Sequence, residues 1–324
     1  MAFNADGLVR SENYAEAMAR EALPYIGARR HDRVIEGDGG RPLFTARFDA
    51  DAPEGTVLIV HGFTENVEKY SEIIHSLLKN HLSVVAWDQR GHGRSWRNPE
   101  VEDISLTHVD DFGEYVRDMA CVIRSLLCDM PGPHRVFCHS MGGTVTALYL
   151  EAHRGEFDRA AMCAPMIAPY LNGLPRPVVK LMCQTEKAMG RLKKRIIGSR
   201  PYDGAERFED AAANGRERFD WYESLRAATP AFQNNGPSYG WLRQAVKVTD
   251  AILAPGAVEK IDARVRLYSA ELDATVLSRP QEAFITRLKA GERVVVKGAK
   301  HEIYRSNDAV LFPWWHDVLN FLKS

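Results

Sequence analysis

The sequence lacks any long apolar run, and this absence argues against a membrane-spanning helix. No stretch of its 324 residues is long and apolar enough to cross a bilayer. Residues 1–6 also lack the basic-then-apolar pattern that is typical of a secretory signal. We therefore expect a cytoplasmic protein, whose contact with a membrane is limited to peripheral contact at the inner face.

The sequence also has few cysteines and almost no net charge. The five cysteines are odd in number, lie mostly in apolar runs and have no paired spacing of the kind found in zinc sites. They indicate reduced, buried thiols and not a disulfide framework. Lys plus Arg number 42 against 43 Asp plus Glu, a net charge of −1, which gives no reason to expect nucleic acid as a partner. Nothing in the sequence indicates an oligomeric state.

Strand and helix patterns alternate through the first half of the chain. Four short apolar runs are typical of strands buried on both faces: 56–60, 83–87, 135–138 and 159–163. Helical spacing of apolar residues predicts helices over 11–27, 67–79 and 110–127. Two further strands, near 33–36 and 43–48, flank a turn at Asp38-Gly39-Gly40.

The alternation stops after Pro165 and resumes near residue 264. Residues 166–250 are helix-rich and irregular, whereas strands are predicted again at 264–269 and 293–297, with helices over 280–288 and 309–322. The pattern predicts an α/β fold, a mostly parallel sheet with helices on both faces. We expect a core formed by residues 1–165 and 251–324, with 166–250 as a helical cap over the carboxyl edge of the sheet.

A serine occupies the predicted bend between a strand and a helix. Cys138-His139-Ser140-Met141-Gly142 approximates the G-x-S-x-G elbow, in which a strained turn lifts a serine hydroxyl above the sheet. Cys138 stands where the first glycine normally lets strand and helix approach closely. We interpret it as a tolerated variant. The alternative is an ordinary turn with a surface serine.

A serine nucleophile needs a base, and the base needs an orienting acid. In hydrolases with this elbow the chain order is Ser, then Asp or Glu, then His. Asp273 and His301 follow the last two predicted strands and fit that order, at the sheet edge where ligands of open α/β sheets bind. Glu271 is the local rival for the acid. Glu302 is a weaker rival, because it neighbours His301 and cannot easily reach around it.

Two backbone N–H groups are candidates for the oxyanion hole. The loop after the first buried strand contains Phe63, and Met141 follows the serine. No metal or organic cofactor is needed for acyl transfer of this kind. His92, in a Gly-rich turn, is predicted to be structural.

These motifs together resemble the α/β-hydrolase superfamily and, within it, the bacterial lysophospholipase L2 and monoacylglycerol lipase group. The resemblance extends from about Val34 to Leu322. It is carried by residues 61–65 with Tyr70, 88–95, 139–143, Asp273 and 298–302 and, for the lysophospholipase L2 branch, by 216–222 and 236–242.

The resemblance implies a triad of Ser140, Asp273 and His301, oxyanion donors at Phe63 and Met141, and a small-molecule lipid ester as substrate. That substrate is a lysophospholipid or a monoacylglycerol. The alternatives are a short-chain carboxylesterase or another acyl-bond hydrolase and, from a different class, a non-catalytic binding protein with the same fold.

The predicted cap carries two features that bear on substrate. Six aromatic residues either line an acyl-chain pocket or form the cap's own core: Phe219, Trp221, Tyr222, Phe232, Tyr239 and Trp241. A basic run is either a solvated helix face or a surface attracted to anionic lipid headgroups: Arg191, Lys193, Lys194 and Arg195.

Overall fold

A computed structural model describes residues 2–204 and 206–324. Eight strands form one sheet. In chain order they are β1 Arg30–Glu36, β2 Pro42–Phe48, β3 Thr56–Val60, β4 Ser83–Trp87, β5 His134–His139, β6 Arg159–Cys163, β7 Arg264–Ala270 and β8 Gly291–Val296. Their order in the sheet is β1-β2-β4-β3-β5-β6-β7-β8. The two pairings of β2 are antiparallel and the remaining five pairings are parallel, so the predicted mostly parallel sheet is confirmed.

Helices cover both faces of the sheet. In the described part of the chain they are α1 Tyr14–Ala17, α2 Leu23–Gly27, α3 Ser71–Lys79, α4 Gly113–Ser125, α5 Met141–Ala152, α6 Arg176–Ala188, α7 Arg216–Ala228, α8 Tyr239–Ile252, α9 Ser278–Ile285 and α10 Asp308–Lys323. A π-helical stretch, Met18–Ala22, joins α1 to α2. The segment 11–27 is therefore helical as predicted, but it is not one regular α-helix.

Alternating side chains of the buried strands supply the two halves of the core. Leu58, Val60 and Val136 pack in one cluster with side chains of α4, α5 and α8. Val57 and Phe137 pack in the other with side chains of α3 and α10. Because neighbouring side chains in a strand point to opposite faces, an uninterrupted apolar run is what a sheet covered on both sides requires. The parallel strands then end at one common edge.

In the described part of the interval between β6 and β7 there are three α-helices, α6, α7 and α8. The predicted first boundary, at 165/166, falls just after β6, whereas the second, at 250, falls inside α8. The helix α8 crosses the predicted boundary between cap and core. It also packs in the main core, to which it contributes Trp241 and Ile252. The division into core and cap stays a prediction.

The basic run does not lie on a helix. It follows α6 in turns, and three of its four cations form internal ion pairs: Arg191 with Glu186, Lys193 with Glu100 and Arg195 with Asp103. These pairs leave little of the run's charge for a lipid surface.

The thiols are only partly buried. Three are buried as predicted, whereas Cys121 is half-buried and Cys128 is exposed at the end of the α4 region. Within the described residues, no helix has the combined length and apolarity that a bilayer crossing demands.

Candidate active site

Ser140 sits at the sharp bend between β5 and α5. Its backbone has φ 51° and ψ −117°, a left-handed conformation that costs free energy in any residue other than glycine. The bend is tight because two glycines follow. A Cβ on Gly142 would lie 2.1 Å from the carbonyl oxygen of Val60, and one on Gly143 would lie 2.4 Å from Cβ of Pro165. These approaches explain why small residues follow the serine.

Cys138 does not prevent this geometry. Its side chain is fully buried in the cluster that contains Val60 and Val145, at the end of β5. Burial raises the pKa of the thiol to about 12, so Cys138 is a neutral, apolar packing residue at physiological pH. The core accommodates the cysteine side chain at this position. The bend at Ser140 therefore forms without a glycine at position 138.

The structure brings Ser140, His301 and Asp273 into one hydrogen-bonded chain. His301 Nε2 lies 2.9 Å from Ser140 Oγ, and His301 Nδ1 lies 2.8 Å from Asp273 Oδ2. The other carboxylate oxygen of Asp273 accepts the N–H groups of Thr275 and Val276 at 2.8 and 3.0 Å. Burial alone would raise the pKa of Asp273, but the bonds from His301 and the two N–H groups outweigh it and lower that pKa. Asp273 is therefore ionised and can orient the imidazole.

The two rival carboxylates lie elsewhere. Glu271 accepts hydrogen bonds from Lys297 Nζ at 2.6 Å and from the N–H of Gly298 at 2.8 Å, at an exposed position. Glu302 turns away from the imidazole and pairs with Lys69 and Arg305, both at 2.6 Å. Neither carboxylate contacts the ring of His301, so the structure favours Asp273.

The two candidate oxyanion donors have free N–H groups. Among the described residues, the N–H groups of Phe63 and Met141 donate to no other protein group. Both Phe63 and Ser140 line the same cavity. His61 holds the loop from behind: its Nδ1 contacts the carbonyl oxygen of Gly62 at 2.7 Å, and its Nε2 accepts the N–H of Gln89 at 2.8 Å. Burial lowers the pKa of His61 to about 4, so the ring is neutral and Nδ1–H is the donor.

Glu65 lies beneath this loop as a fully buried carboxylate. It accepts the N–H of Gly62 and the hydroxyl of Tyr70, both at 2.5 Å, the hydroxyl of Tyr304 at 2.6 Å and Lys69 Nζ at 3.3 Å. Burial would raise its pKa, but the charges and hydrogen bonds around it lower that pKa well below the ordinary value for Glu. One carboxylate thus joins the loop of Phe63 to the turn that follows His301.

His139 extends this connection to the serine bend. Its Nδ1 lies 3.1 Å from Glu65 Oε1, and its Nε2 lies 3.3 Å from the carbonyl oxygen of His301. The ring packs against Tyr304, with centroids 5.1 Å apart. The residue before Ser140 therefore contacts both the Glu65 carboxylate and the backbone of His301.

Sequence reasoning assigned no role to Glu65, Lys69 or Arg305, and it considered Glu302 only as a weaker rival for the acid of the triad. One local signal was available, since Glu65 and Lys69 are spaced four apart in a stretch that becomes buried. The pairs that matter most are long-range, such as Lys69 with Glu302. His92, predicted to be structural, is buried and its Nδ1 lies 3.0 Å from the carbonyl oxygen of Arg90.

A cavity of about 340 Å³ opens beside Ser140. Of the six aromatic rings singled out in the sequence, only Tyr222 lines it; the others pack inside the protein or half-buried at its surface. Most of the lining residues are charged. The acids are Glu65, Asp203, Glu206, Asp210, Glu223 and Glu302, and the cations are Lys69, Arg200, Arg207, Arg226 and Arg305. Phe63 and Tyr202 are among the uncharged lining residues. This composition suits a polar part of a substrate.

Comparison with known proteins places this chain in a family. A sequence model described as serine aminopeptidase, S33, matches residues 51–308, well over half of the chain. The chain belongs to this family. The matched range includes Ser140, Asp273 and His301.

Named relatives of this S33 chain are lipid hydrolases. Lysophospholipase L2 of Escherichia coli strain K12 is 28% identical over 323 residues, which cover 96% of this chain and 93% of that protein. Monoacylglycerol lipase of Mycolicibacterium smegmatis is 28% identical over 169 residues, 52% of this chain and 56% of that protein.

Solved structures establish the fold of the S33 chain. A monoglyceride lipase variant from Saccharomyces cerevisiae, bound to a substrate analogue, superposes with a TM-score of 0.70 at 17% identity, covering 90% of this chain and 95% of that one. Monoacylglycerol lipase of Paleococcus ferrophilus superposes with a TM-score of 0.64 at 20% identity, covering 87% and 98%. The architecture is the α/β-hydrolase fold, as predicted.

Proposed function

We propose that this protein hydrolyses carboxylic esters of single-chain lipids through an acyl-enzyme on Ser140. The observation that carries the proposal is the chain of contacts from Ser140 through His301 to Asp273 at the carboxyl edge of the sheet. The similarity to lysophospholipase L2 over nearly the whole chain supports a lysophospholipid or a monoacylglycerol as substrate.

In the proposed reaction, His301 Nε2 takes the hydroxyl proton of Ser140 as the oxygen attacks the ester carbonyl. The N–H groups of Phe63 and Met141 stabilise the oxyanion, and loss of one such donor typically costs about 100- to 1,000-fold in rate. His301 then protonates the departing alcohol. Water, activated by the same imidazole, cleaves the acyl-enzyme and releases the fatty acid. Asp273 remains ionised and holds the ring throughout.

The test is covalent labelling of the folded protein with a fluorophosphonate, followed by mass balance on two substrates. We expect the label on Ser140, none on a Ser140→Ala variant, and release of fatty acid from a lysophospholipid, a monoacylglycerol or both. A folded protein that takes no label at Ser140 would refute the enzyme proposal and favour a non-catalytic binding protein.

Two other acyl-bond activities are alternatives with specific support. The charged lining of the cavity would suit a short-chain carboxylesterase, and the description of the matched family names an aminopeptidase. A panel of esters of graded chain length, together with an aminoacyl nitroanilide, separates these activities. Preference for two- to four-carbon acyl chains would count against the lipid proposal, and preference for the nitroanilide would replace it.

We also infer peripheral contact with a lipid surface through α6. This helix and the residues just before and after it carry exposed apolar side chains: Leu174, Val178, Leu181 and Met189. The segment before α6 reaches the active-site region at Tyr170, whose N–H donates to the carbonyl oxygen of Thr275, a residue of the cavity lining. Lipid attraction would come from these apolar side chains, because the basic run is engaged internally.

Vesicle co-sedimentation tests this contact. Leu181→Glu should reduce binding to phospholipid vesicles severalfold. Val34→Glu is the matched control, because Val34 is equally exposed, at 63%, but lies on β1 at the far end of the sheet. Equal binding of both variants and the parent protein would contradict the assignment.

A further inference from the structure

The charges that line the active-site cavity are not balanced. Within the described residues, six carboxylates and five cationic groups contribute to the lining. Four of these groups balance one another on the inner side, where Glu65 and Glu302 pair with Lys69 and Arg305. At the rim, Arg207 lies 2.6 Å from Asp210 and Arg200 lies 3.7 Å from Asp203.

The excess negative charge lies on one wall, where two carboxylates share one guanidinium. Arg226 Nη1 lies 2.6 Å from Glu206 Oε2 and 3.2 Å from Glu223 Oε2. The other terminal nitrogen of Arg226 donates to the carbonyl oxygen of Asn234 at 2.7 Å. Arg226 is therefore shared by two acids, and the described lining holds one more carboxylate than it holds Lys and Arg side chains.

Glu223 is the more enclosed of the two acids. Its side chain is 19% exposed, against 40% for Glu206, and it lies next to Tyr222 on α7. Its contact with Arg226 is the longer of the pair. Burial raises the pKa of Glu223, and the neighbouring Glu206 adds to this, whereas the cations Arg226, Arg305 and Lys69 counteract the rise only in part. A carboxylate removed from water in this way is stabilised when a cation completes its surroundings.

Aromatic rings surround the same wall. The Arg226 guanidinium lies over the ring of Tyr202 at 4.5 Å, and Lys69 Nζ lies over the ring of Tyr222 at 5.0 Å. Both rings belong to the cavity lining. Each ring thus already has a protein cation over one face, and carboxylates with aromatic rings beside them are the usual surroundings of a bound ammonium group.

We propose that the wall formed by Glu206, Glu223, Tyr202 and Tyr222 binds an ammonium group on the alcohol part of the substrate. The inference rests on the proposed function and specifies it further: the preferred ester is a lysophospholipid with an amine headgroup. The guanidinium groups of Arg200 and Arg207 at the rim allow the headgroup phosphate to share the cavity. A neutral monoacylglycerol would leave the extra carboxylate without a partner.

The test compares three octanoyl esters below their critical micelle concentrations, so that surface adsorption does not affect the rates. They are lysophosphatidylethanolamine, its N-acetyl derivative and monooctanoylglycerol. Acetylation keeps the phosphate and removes the positive charge of the amine. We expect kcat/KM to be about tenfold higher for the free amine than for the acetylated lipid, the size of effect expected for one charge-assisted contact.

Two variants and one control locate the effect. Glu223→Gln should lower kcat/KM for the free amine about tenfold, chiefly through KM, and should leave the acetylated lipid within twofold. Glu217→Gln is the matched control, because Glu217 lies on the same helix, is exposed and is not part of the cavity lining. Thermal unfolding of each variant verifies that the fold is retained, and Glu206→Gln should give a smaller loss in the same direction.

The outcomes separate this inference from the proposed function. Equal kcat/KM for the free and the acetylated amine, with Ser140 still labelled by fluorophosphonate, would overturn the headgroup proposal alone. Failure of Ser140 to take the label would overturn the proposed function itself. Faster turnover of an alanyl nitroanilide than of any ester, still dependent on Glu223, would assign the ammonium group to an amino-acid substrate and overturn the lipid headgroup.

Discussion

The two sides of the active-site cavity differ in how completely their charges are paired. We define the inner floor as Glu65, Lys69, Tyr70, Glu302 and Tyr304. Its carboxylates, the buried Glu65 and the half-buried Glu302, are surrounded by donors. On the outer wall, defined as residues 200–226 of the lining, side chains are more exposed and two acids share Arg226.

The difference in charge pairing corresponds to two functions of an active site, which are stabilising the transition state and recognising the substrate. Groups that stabilise a transition state must be fixed before the reaction begins, because reorganisation during the reaction raises the barrier. A wall that recognises substrate can instead leave one charge for the ligand to neutralise. We therefore expect changes on the floor to act on kcat and changes on the wall to act on KM.

The largest effect is expected for Asp273→Asn. An amide in place of the carboxylate favours the wrong tautomer of His301, and the corresponding change in a Ser-His-Asp triad lowers kcat about 10,000-fold. Steady-state hydrolysis of a single-chain ester measures this loss. The fold should be retained, because the amide oxygen can still accept the N–H groups of Thr275 and Val276.

Glu271→Gln is the matched control for Asp273→Asn. Glu271 lies two residues away and pairs with Lys297 at the surface, so its charge should not matter to catalysis. We expect kcat within twofold of the parent. A large loss in Glu271→Gln with little loss in Asp273→Asn would reverse the assignment of the acid.

The second effect, on kcat with KM nearly unchanged, is expected for Glu65→Gln. The amide cannot accept from all the donors that converge on the carboxylate, so the loop of Phe63 loses its fixed position. We expect about a 100-fold loss in kcat, the lower end of the effect of losing an oxyanion donor. Glu68→Gln is the control, because Glu68 pairs with Arg30 outside the cavity lining. Unchanged kcat in a folded Glu65→Gln protein would show that the floor does not position the loop.

The strands that support the active site, and the three residues of its hydrogen-bonded chain, could be predicted from the sequence. The apolar runs at β3, β4 and β6 match the observed strands, because a strand buried on both faces leaves an unmistakable pattern. The chain order of Ser140, Asp273 and His301 predicted three residues that the structure brings within hydrogen-bond distance. Their catalytic roles stay predictions.

The charge pairing around the cavity could not be predicted. Lys69 meets Glu302 across 233 positions of sequence, and no local periodicity encodes such a contact. The charge pairing on the outer wall could not be predicted either. In the sequence, Glu223 and Arg226 have the pattern of a solvated helix face, and only the fold encloses them. Aromatic content was a poor guide to the lining, because most of the rings are needed to pack the α6–α8 region and α1.

The third prediction uses pH to contrast floor and wall. The pKa of Glu302 is lowered from 4.5 to about 2, because Lys69 and Arg305 outweigh the effect of burial. The unfolded chain therefore binds the proton more readily, and stability falls as pH drops from about 4.5 through about 2. The shift corresponds to about 3 kcal/mol in the free energy of unfolding.

Glu302→Gln should remove this pH-dependent contribution to the free energy of unfolding. The pKa of Glu223 is raised, so its contribution has the opposite sign: it is present below the ordinary pKa of Glu and is lost as pH rises through the folded value. Denaturant unfolding at several pH values should thus show a flatter acid limb below pH about 4.5 in Glu302→Gln, and a steeper one just above pH about 4.5 in Glu223→Gln. Parallel acid limbs in all three proteins would contradict the contrast.

The smallest effect on activity is expected for Cys138→Gly, which restores the glycine common in such elbows. The thiol packs in the core and contacts no reacting group, so kcat should change less than twofold. Loss of its buried side chain and the added backbone freedom should lower the free energy of unfolding by about 1–2 kcal/mol. Cys138→Ala separates these two terms, since it removes the sulfur without freeing the backbone. A tenfold rise in kcat in Cys138→Gly, absent in Cys138→Ala, would instead mean that the Cβ at position 138 holds Ser140 away from its best position.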